Sequence, residues 1–415
     1  MNLLRTGFLN GIAVFIKMAA ALVLNKVFAV TVGPAGYTVV GQLQNAVTII
    51  SNVGACAISN GVIKYTAQHS GDDHSQATVW QTAVWLSGGM SLCVGAAIAL
   101  ASIPLAHLFL ADATLAYVFV LFGLSLPAIV FNGFLVAVLN GKKEIGRLVM
   151  CNIAGSLITL VITGLLTISF GLRGALAALG VNQAVALTAT WVICRKLPWL
   201  SRDTLLGPFR GDVARQLLRF AAMMLVSAVA APLAQIAVRT YLTQQVGATE
   251  TGYWQASWKM SEIYLMLLTT TLATYFLPRF AEITSVAEVR TELKQAARIL
   301  LPLLLLGLAA VYFLRELWIP LLFSADFRGL EALLPLQLAG DFFKMIGWLL
   351  GYLVMAKSMT RVFIVTEIVF SAGFFVLTAA LVPLLGLKGA AAAHMLNYVA
   401  YCVTMTICLR KGNVI

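Results

Sequence analysis

Residues 170–196 read FGLRGALAALGVNQAVALTATWVICRK, and residues 385–411 read LGLKGAAAAHMLNYVAYCVTMTICLRK. At a shift of 215, nine of the 27 positions are identical: Gly171/Gly386, Leu172/Leu387, Gly174/Gly389, Ala175/Ala390, Ala177/Ala392, Ala178/Ala393, Asn182/Asn397, Arg195/Arg410 and Lys196/Lys411. The same shift pairs Lys142 with Lys357 and Ser156 with Ser371. With a small slip in register, Val32-Gly33 through Gln42 echoes Val246-Gly247 through Gln255. Charges matched at one shift separate this from the chance likeness of Gly/Ala-rich helices. The reading is two copies of one unit, 1–196 and 217–415, joined by a linker at 197–216. That linker is basic and carries Pro198 and Pro208, as a segment at a membrane surface would.

Composition says what kind of unit is repeated. Of 415 residues, 60% are hydrophobic and 11% charged, with a mean hydropathy of +0.92. A soluble domain is about 45–50% apolar and about 25% charged. Too few charged residues remain to cover a water-facing surface. Disorder and a disulfide-rich secreted scaffold are excluded as well. The six cysteines form no CxxC or other metal-ligand spacing and read as small apolar residues. What remains is an all-α polytopic membrane protein.

Apolar runs fall near 8–31, 37–59, 79–105, 113–138, 147–170, 174–194, 217–240, 253–276, 297–321, 332–355, 362–383 and 388–409. They do not alternate, and each is long enough for a membrane helix of roughly 20 residues. Twelve spans are expected, six in each copy. An even number per copy gives both the same orientation, which implies a pseudo-two-fold along the membrane normal and a central cleft between six-helix bundles. Lys and Arg set the direction. Nineteen fall on the side of the N-terminus, including Lys142, Lys143, Arg195, Lys196, Arg410 and Lys411, and five on the other. Both termini are therefore expected in the cytoplasm. The net charge of +12 belongs to those loops and not to a nucleic-acid surface. The N-terminal run resembles a signal peptide, but Lys17 interrupts its apolar core and the run continues beyond it, so it reads as the first span.

Polar residues within spans are costly and point inward. Gln255, Trp258, Lys259 and Glu262 recur at i, i+3, i+4 and i+7, one helical stripe. In the repeat partner, Gln42, Asn45 and Asn52 form an uncharged stripe. Gln337, Asp341, Lys344 and Trp348 share another face. The pairs Asp341/Lys344 and Lys259/Glu262, each three apart, are spaced to neutralise one another. Lys17 has no acid at three or four residues on either side, which favours a site role. Lys26 and Arg239 lie nearer span ends, where they can snorkel. Trp258 is placed to stack on a sugar. His394 stands where the first copy has Leu179, which predicts simple packing. Together Lys17, Lys26, Arg239, Lys259 and Lys344 give a cationic cleft that invites an anionic substrate. The acids Glu262 and Asp341 are candidates to carry a coupling proton or Na⁺.

At these residues the chain resembles the Wzx-type flippases of lipid-linked oligosaccharides, within the multidrug/oligosaccharidyl-lipid/polysaccharide exporter superfamily, and most the common-antigen branch. The resemblance runs over essentially the whole chain. It is carried by Lys17 and Lys26, VGPAGYTVVGQ at 32–42, NGVIKYTAQ at 60–68, GYWQASWKMSEIYL at 252–265, FLPRFAEIT at 276–284 and LQLAGDFFKMIGWLLGYLVMAK at 336–357. Glu262 departs from the Asp of that branch, keeping the charge on a longer arm. The resemblance implies two six-helix bundles around a cleft in a bacterial inner membrane. It implies passage of an undecaprenyl-diphosphate-linked unit, lipid III of common antigen or an O-antigen unit, from the cytoplasmic to the periplasmic leaflet. It further implies alternating access driven by a proton or sodium gradient, no cofactor, and a polysaccharide polymerase and a chain-length regulator as partners. Gln42, Asn45, Asn52, Gln255 and Trp258 are then the expected sugar contacts, and the lysines the diphosphate contacts. An antiporter of organic cations in the same superfamily would need an acid-dominated cleft, whereas internal lysines outnumber internal acids here. A membrane polymerase or ligase would need a sizeable outer loop, and these are about ten residues at most.

Overall fold

The computed structural model describes residues 3–283 and 285–414, and within them every regular element is helical. Nine of the described helices are long and apolar enough to cross a membrane. Their outer faces carry large apolar side chains that need hydrocarbon around them: Leu124 is 72% exposed, Leu306 69% and Leu384 78%.

Contacts divide the chain into two units, one of residues up to 31 with 39–233, the other of 32–38 with 234–415. These contact units and the sequence copies are different divisions. Residues 211–233, the first part of a long helix, count with unit 1, and 32–38 count with unit 2.

Unit 1 draws on α1 (Leu3–Gly54), α2 (Ser59–Gln68), α3 (Asp73–Leu100), α4 (Ser102–Leu110), α5 (Ala116–Gly141), α6 (Ile145–Cys194), the single turn α7 (Arg202–Leu205) and the start of α8 (Gly211–Val246). At 1.5 Å per residue, the 52 residues of α1 rise about 78 Å, more than twice the ~30 Å hydrocarbon core. The helix is broken at Gly33 (φ 64°, ψ −176°), and the 50-residue α6 is broken likewise at Gly171 (φ 57°, ψ −137°). Only glycine enters that backbone region without strain. The sequence places a break between spans at each of these points. α5 packs between α3 and α6. Gly95 and Gly123 let α3 and α5 approach so closely that a Cβ on either would strike the other's carbonyl oxygen. At one end of the unit Trp80 is buried, donates to Thr66 Oγ1 at 2.9 Å and packs on Trp199.

Unit 2 continues with α9 (Ala248–Thr271), a π-helical turn at Leu272–Phe276, α10 (Leu277–Glu282), α11 (Val286–Phe313), α12 (Arg315–Leu322), a 3₁₀ stretch at Ala325–Ala332, α13 (Leu334–Ala356), α14 (Thr360–Leu385) and α15 (Lys388–Lys411). The run of buried alanines Ala390–Ala393 on α15 lets α13 and α15 lie closely together. α9 is long enough to span but lies outside the nine apolar helices, because its polar stripe lowers its hydropathy.

The sequence repeat is also a backbone repeat. Gly386, between α14 and α15, has φ 58° and ψ −144°, close to Gly171 inside α6. Gly247, before α9, shares the positive φ of Gly33. Lys143 and Ser358, 215 apart and neither of them glycine, are both left-handed (φ 58° and 55°). The hydrogen bonds that close α5, Lys142 N to Val138 O and Glu144 N to Leu139 O, recur in α13 as Lys357 N to Leu353 O and Met359 N to Val354 O. A Cβ on Gly174 would collide with the Leu166 carbonyl oxygen, and one on Gly389 with that of Leu381, again 215 further on.

Candidate functional site

The charged residues of unit 2 that the sequence singled out lie on α8, α9 and α13, and Asp341 among them meets His394 of α15. Arg239 on α8 is 1% exposed, donates through Nε (3.1 Å) and a terminal nitrogen (2.5 Å) to Gln255 Oε1 on α9, and lies 5.7 Å from the Trp254 ring. Four residues along the same face, Trp258 donates its indole N–H to Glu262 Oε1 at 3.1 Å. Lys259 Nζ meets Glu262 Oε2 at 2.9 Å, the i,i+3 pair expected from the spacing. Trp258 is packed against Trp254, Phe374 and His394.

The other expected pair does not form. Lys344 on α13 is buried, and among the described residues it has no carboxylate partner. Its ammonium instead sits 4.7 Å from the Trp258 ring, 4.8 Å from Trp348 and 5.7 Å from Tyr398, in an aromatic cage. Asp341, completely buried, turns to α9 and α15. Its Oδ2 accepts from Ser261 Oγ at 2.5 Å and from the Tyr264 hydroxyl, and its Oδ1 faces His394 Nε2 at 3.0 Å. Gln337 Nε2 donates to Ser261 Oγ at 3.2 Å and extends the network. In one rotamer the carboxylate satisfies one oxygen with the histidine of α15 and the other with two hydroxyls of α9, so it does not need the lysine three residues away. His394 is therefore no packing residue, contrary to its expectation from Leu179. Gly340 supplies the room, since a Cβ there would run into the imidazole ring. His394 Nδ1 is buried with no partner among the described residues. A histidine in the apolar run of α15 was the one sequence signal for it.

Unit 1 holds the remaining expected residues. Gln42 is buried, Asn45 and Lys26 are half-buried, and Asn52 spends its amide on the Thr48 carbonyl of its own helix at 2.8 Å. Lys17 lies on the wall of a cavity of about 450 Å³. Three segments of helix line it with small or polar side chains at helical spacing: Ala13, Lys17 and Ala20 from α1, Asn152, Gly155, Ser156 and Thr159 from the first part of α6, and Asn182, Gln183 and Ala186 from its second part. α5 adds Asn132, whose Oδ1 is buried without a partner among the described residues. Apart from Lys17, none of these lining residues stood out as a site residue in the sequence. The polar ones among them are amides and hydroxyls set within apolar runs. Among the described residues no group of three His, Cys, Asp or Glu side chains is placed to hold a metal ion.

Comparisons place this geometry among known proteins. The family of polysaccharide biosynthesis proteins matches residues 3–284. The chain is 27% identical over 401 residues to the lipid III flippases of Escherichia coli (strain K12) and Shigella flexneri, covering 97% of this chain and 96% of each relative. Among solved structures it is similar to a multidrug resistance MATE family transporter of the MOP superfamily. The TM-score is 0.75 for an inward-facing structure at 15% identity (95% of each chain) and 0.70 for an outward-facing one at 17% identity (97% of this chain, 94% of that one). Those structures share the fold. A multi-pass protein of the inner membrane, the chain belongs to the family of polysaccharide biosynthesis proteins.

Proposed function

We propose that the chain is a flippase, moving a lipid-linked oligosaccharide from the cytoplasmic to the periplasmic leaflet for cell-surface polysaccharide synthesis. The end-to-end likeness to lipid III flippases carries this reading. The charge pattern of the chain supports it. Counted twice each at their glycine breaks, α1 and α6 join the other apolar helices, and α9 adds the last of twelve crossings. The 19:5 division of Lys and Arg then sets both termini in the cytoplasm, with a linker at 197–216 between sequence copies 1–196 and 217–415. The substrate in this reading is an undecaprenyl diphosphate carrying a sugar unit. Lysines of the cationic set meet the diphosphate, and the polyprenyl chain stays in lipid. Asp341 and Glu262 are the carboxylates through which an ion gradient acts, Asp341 inside its hydroxyl and imidazole network, Glu262 at its lysine.

The test is reconstitution. Purified protein in vesicles holding a fluorescent undecaprenyl-diphosphate-linked oligosaccharide should make inner-leaflet label accessible to an added glycosidase faster than empty vesicles do. Equal rates with correctly inserted protein would contradict the reading.

A further inference from the structure

A second open cavity lies within unit 2, at the ends of its helices. α11 and α15 both pack on α13. Lys357, just past the end of α13, donates through Nζ to the Ile283 carbonyl and so holds the start of α11 at that end. Between the start of α11 and the end of α15 is a space of about 480 Å³, lined by Arg290, Leu293, Lys294 and Arg410. Three of the four are cations, and no carboxylate is on the wall. The acids of α11 are turned elsewhere. Glu292 pairs with Arg279 at 3.3 Å, and Glu288 lies about 160° around the helix from Arg290. Three like charges around one open space repel one another unless an anion joins them.

The surroundings say which anion. On α15, Arg410 heads a stripe with Ile407, Val403 and Leu396, at spacings of 3, 7 and 14, and all three apolar residues are exposed. On α11, Arg290 and Lys294 head a stripe continued by half-buried Leu301 and exposed Leu305. The cations therefore stand where two hydrocarbon-facing stripes end, at the level of a lipid headgroup. The wall has no amide or hydroxyl side chain, which a sugar would need. The duplicated unit gives an internal control. α3, like α11, is 28 residues long and is followed by a short helix, but it carries no Lys or Arg. Arg195, the counterpart of Arg410, thus gets no second cation from that helix. The cluster belongs to the second copy alone.

We propose that this cavity holds the headgroup of an anionic phospholipid, its phosphate met by Arg290, Lys294 and Arg410, its glycerol by Leu293, and its acyl chains by the two apolar stripes. The guanidinium groups donate in pairs to phosphate oxygens, and the lysine adds a point charge. Basic pockets between helix ends at a membrane surface suit such headgroups. The count of Lys and Arg sets this end in the cytoplasm, so the lipid belongs to the inner leaflet. The inference concerns the outer face of unit 2 and does not rest on the flippase reading.

The experiment is native mass spectrometry of the full chain in detergent, titrated with phosphatidylglycerol, with zwitterionic phosphatidylcholine and with undecaprenyl diphosphate. Phosphatidylglycerol is expected to bind at least about tenfold more tightly than phosphatidylcholine. The triple variant Arg290→Gln, Lys294→Gln and Arg410→Gln should remove that preference. Leu293→Glu, which sets a carboxylate in the cavity and keeps all three cations, should weaken phosphatidylglycerol severalfold. The control variant Arg195→Gln, Lys196→Gln and Arg202→Gln loses the same charge elsewhere and should keep the preference. No preference in the native chain, or the same loss in the control as in the triple variant, would overturn the proposal. So would undecaprenyl diphosphate losing more affinity than phosphatidylglycerol in the triple variant, which would give the cavity to the substrate, or displacement of phosphatidylglycerol by millimolar inorganic phosphate, which would give it to a soluble anion.

Discussion

Asp341 carries the densest polar network of unit 2, and its value can be measured. It accepts from Ser261, Tyr264 and His394. Leaving a buried donor or acceptor without its partner costs about 1–3 kcal/mol, more for a charged group. His394→Ala and Asp341→Asn should each lower the unfolding temperature of the purified protein. Together they should lower it by less than their sum, with a coupling of about 0.5–3 kcal/mol, because each removes the same contact. Strict additivity would mean that the imidazole and the carboxylate do not interact. This pair also marks where sequence reading stops. Lys259 and Glu262 were legible because their spacing alone brings them together on one helix. Asp341 and His394 stand 53 residues apart on different helices, and only the packing of α13 on α15 joins them.

At the scale of elements, glycines decide where helices break and how closely they pack. Gly174 and Gly389 each press against a carbonyl oxygen of the preceding helical segment. Gly174→Ala and Gly389→Ala should each sharply reduce the yield of monodisperse protein in detergent, while Gly88→Ala, with open space around it, should not. Normal yield from both would show that the segments can separate at little cost. The start of α3 offers a pH test outside the spans. Asp72 caps it, accepting from Ser75 N at 3.0 Å and Ser75 Oγ at 2.5 Å, and these bonds hold its carboxyl below the usual range. A lowered carboxyl contributes stability above its unfolded value, and loses it as pH falls through the folded one. Amide exchange in the first turn of α3 should therefore quicken on acidification, and Asp72→Asn should remove that pH dependence. The 215-residue repeat was legible from nine identities, and the matched φ angles of Gly171/Gly386 and Lys143/Ser358 are its physical content. The merging of two apolar runs into one long α1, and of two more into one long α6, was not. A glycine at positive φ bends a helix without a loop, and composition does not distinguish the two.

For the molecule as a whole, the matched stretches of sequence share local backbone geometry while the side chains around them differ. Unit 1 has an open polar cavity with one lysine on its wall, and unit 2 holds a paired lysine and glutamate beside packed aromatic rings. The sum of charges was readable from the sequence. The cavity was not, because Asn132, Asn152, Asn182 and Gln183 converge only when α1, α5 and α6 pack together. If Asp341 couples an ion gradient to movement, Asp341→Asn should make vesicle flipping insensitive to collapse of that gradient, while the native chain slows severalfold. Equal sensitivity would remove Asp341 from coupling. The measurement that tests the central claim most directly is the sidedness of lipid-linked oligosaccharide in cells depleted of this protein. The account predicts single repeat units held on the cytoplasmic leaflet, with sugars that name the substrate. Normal sidedness, with surface polysaccharide at full length, would contradict it.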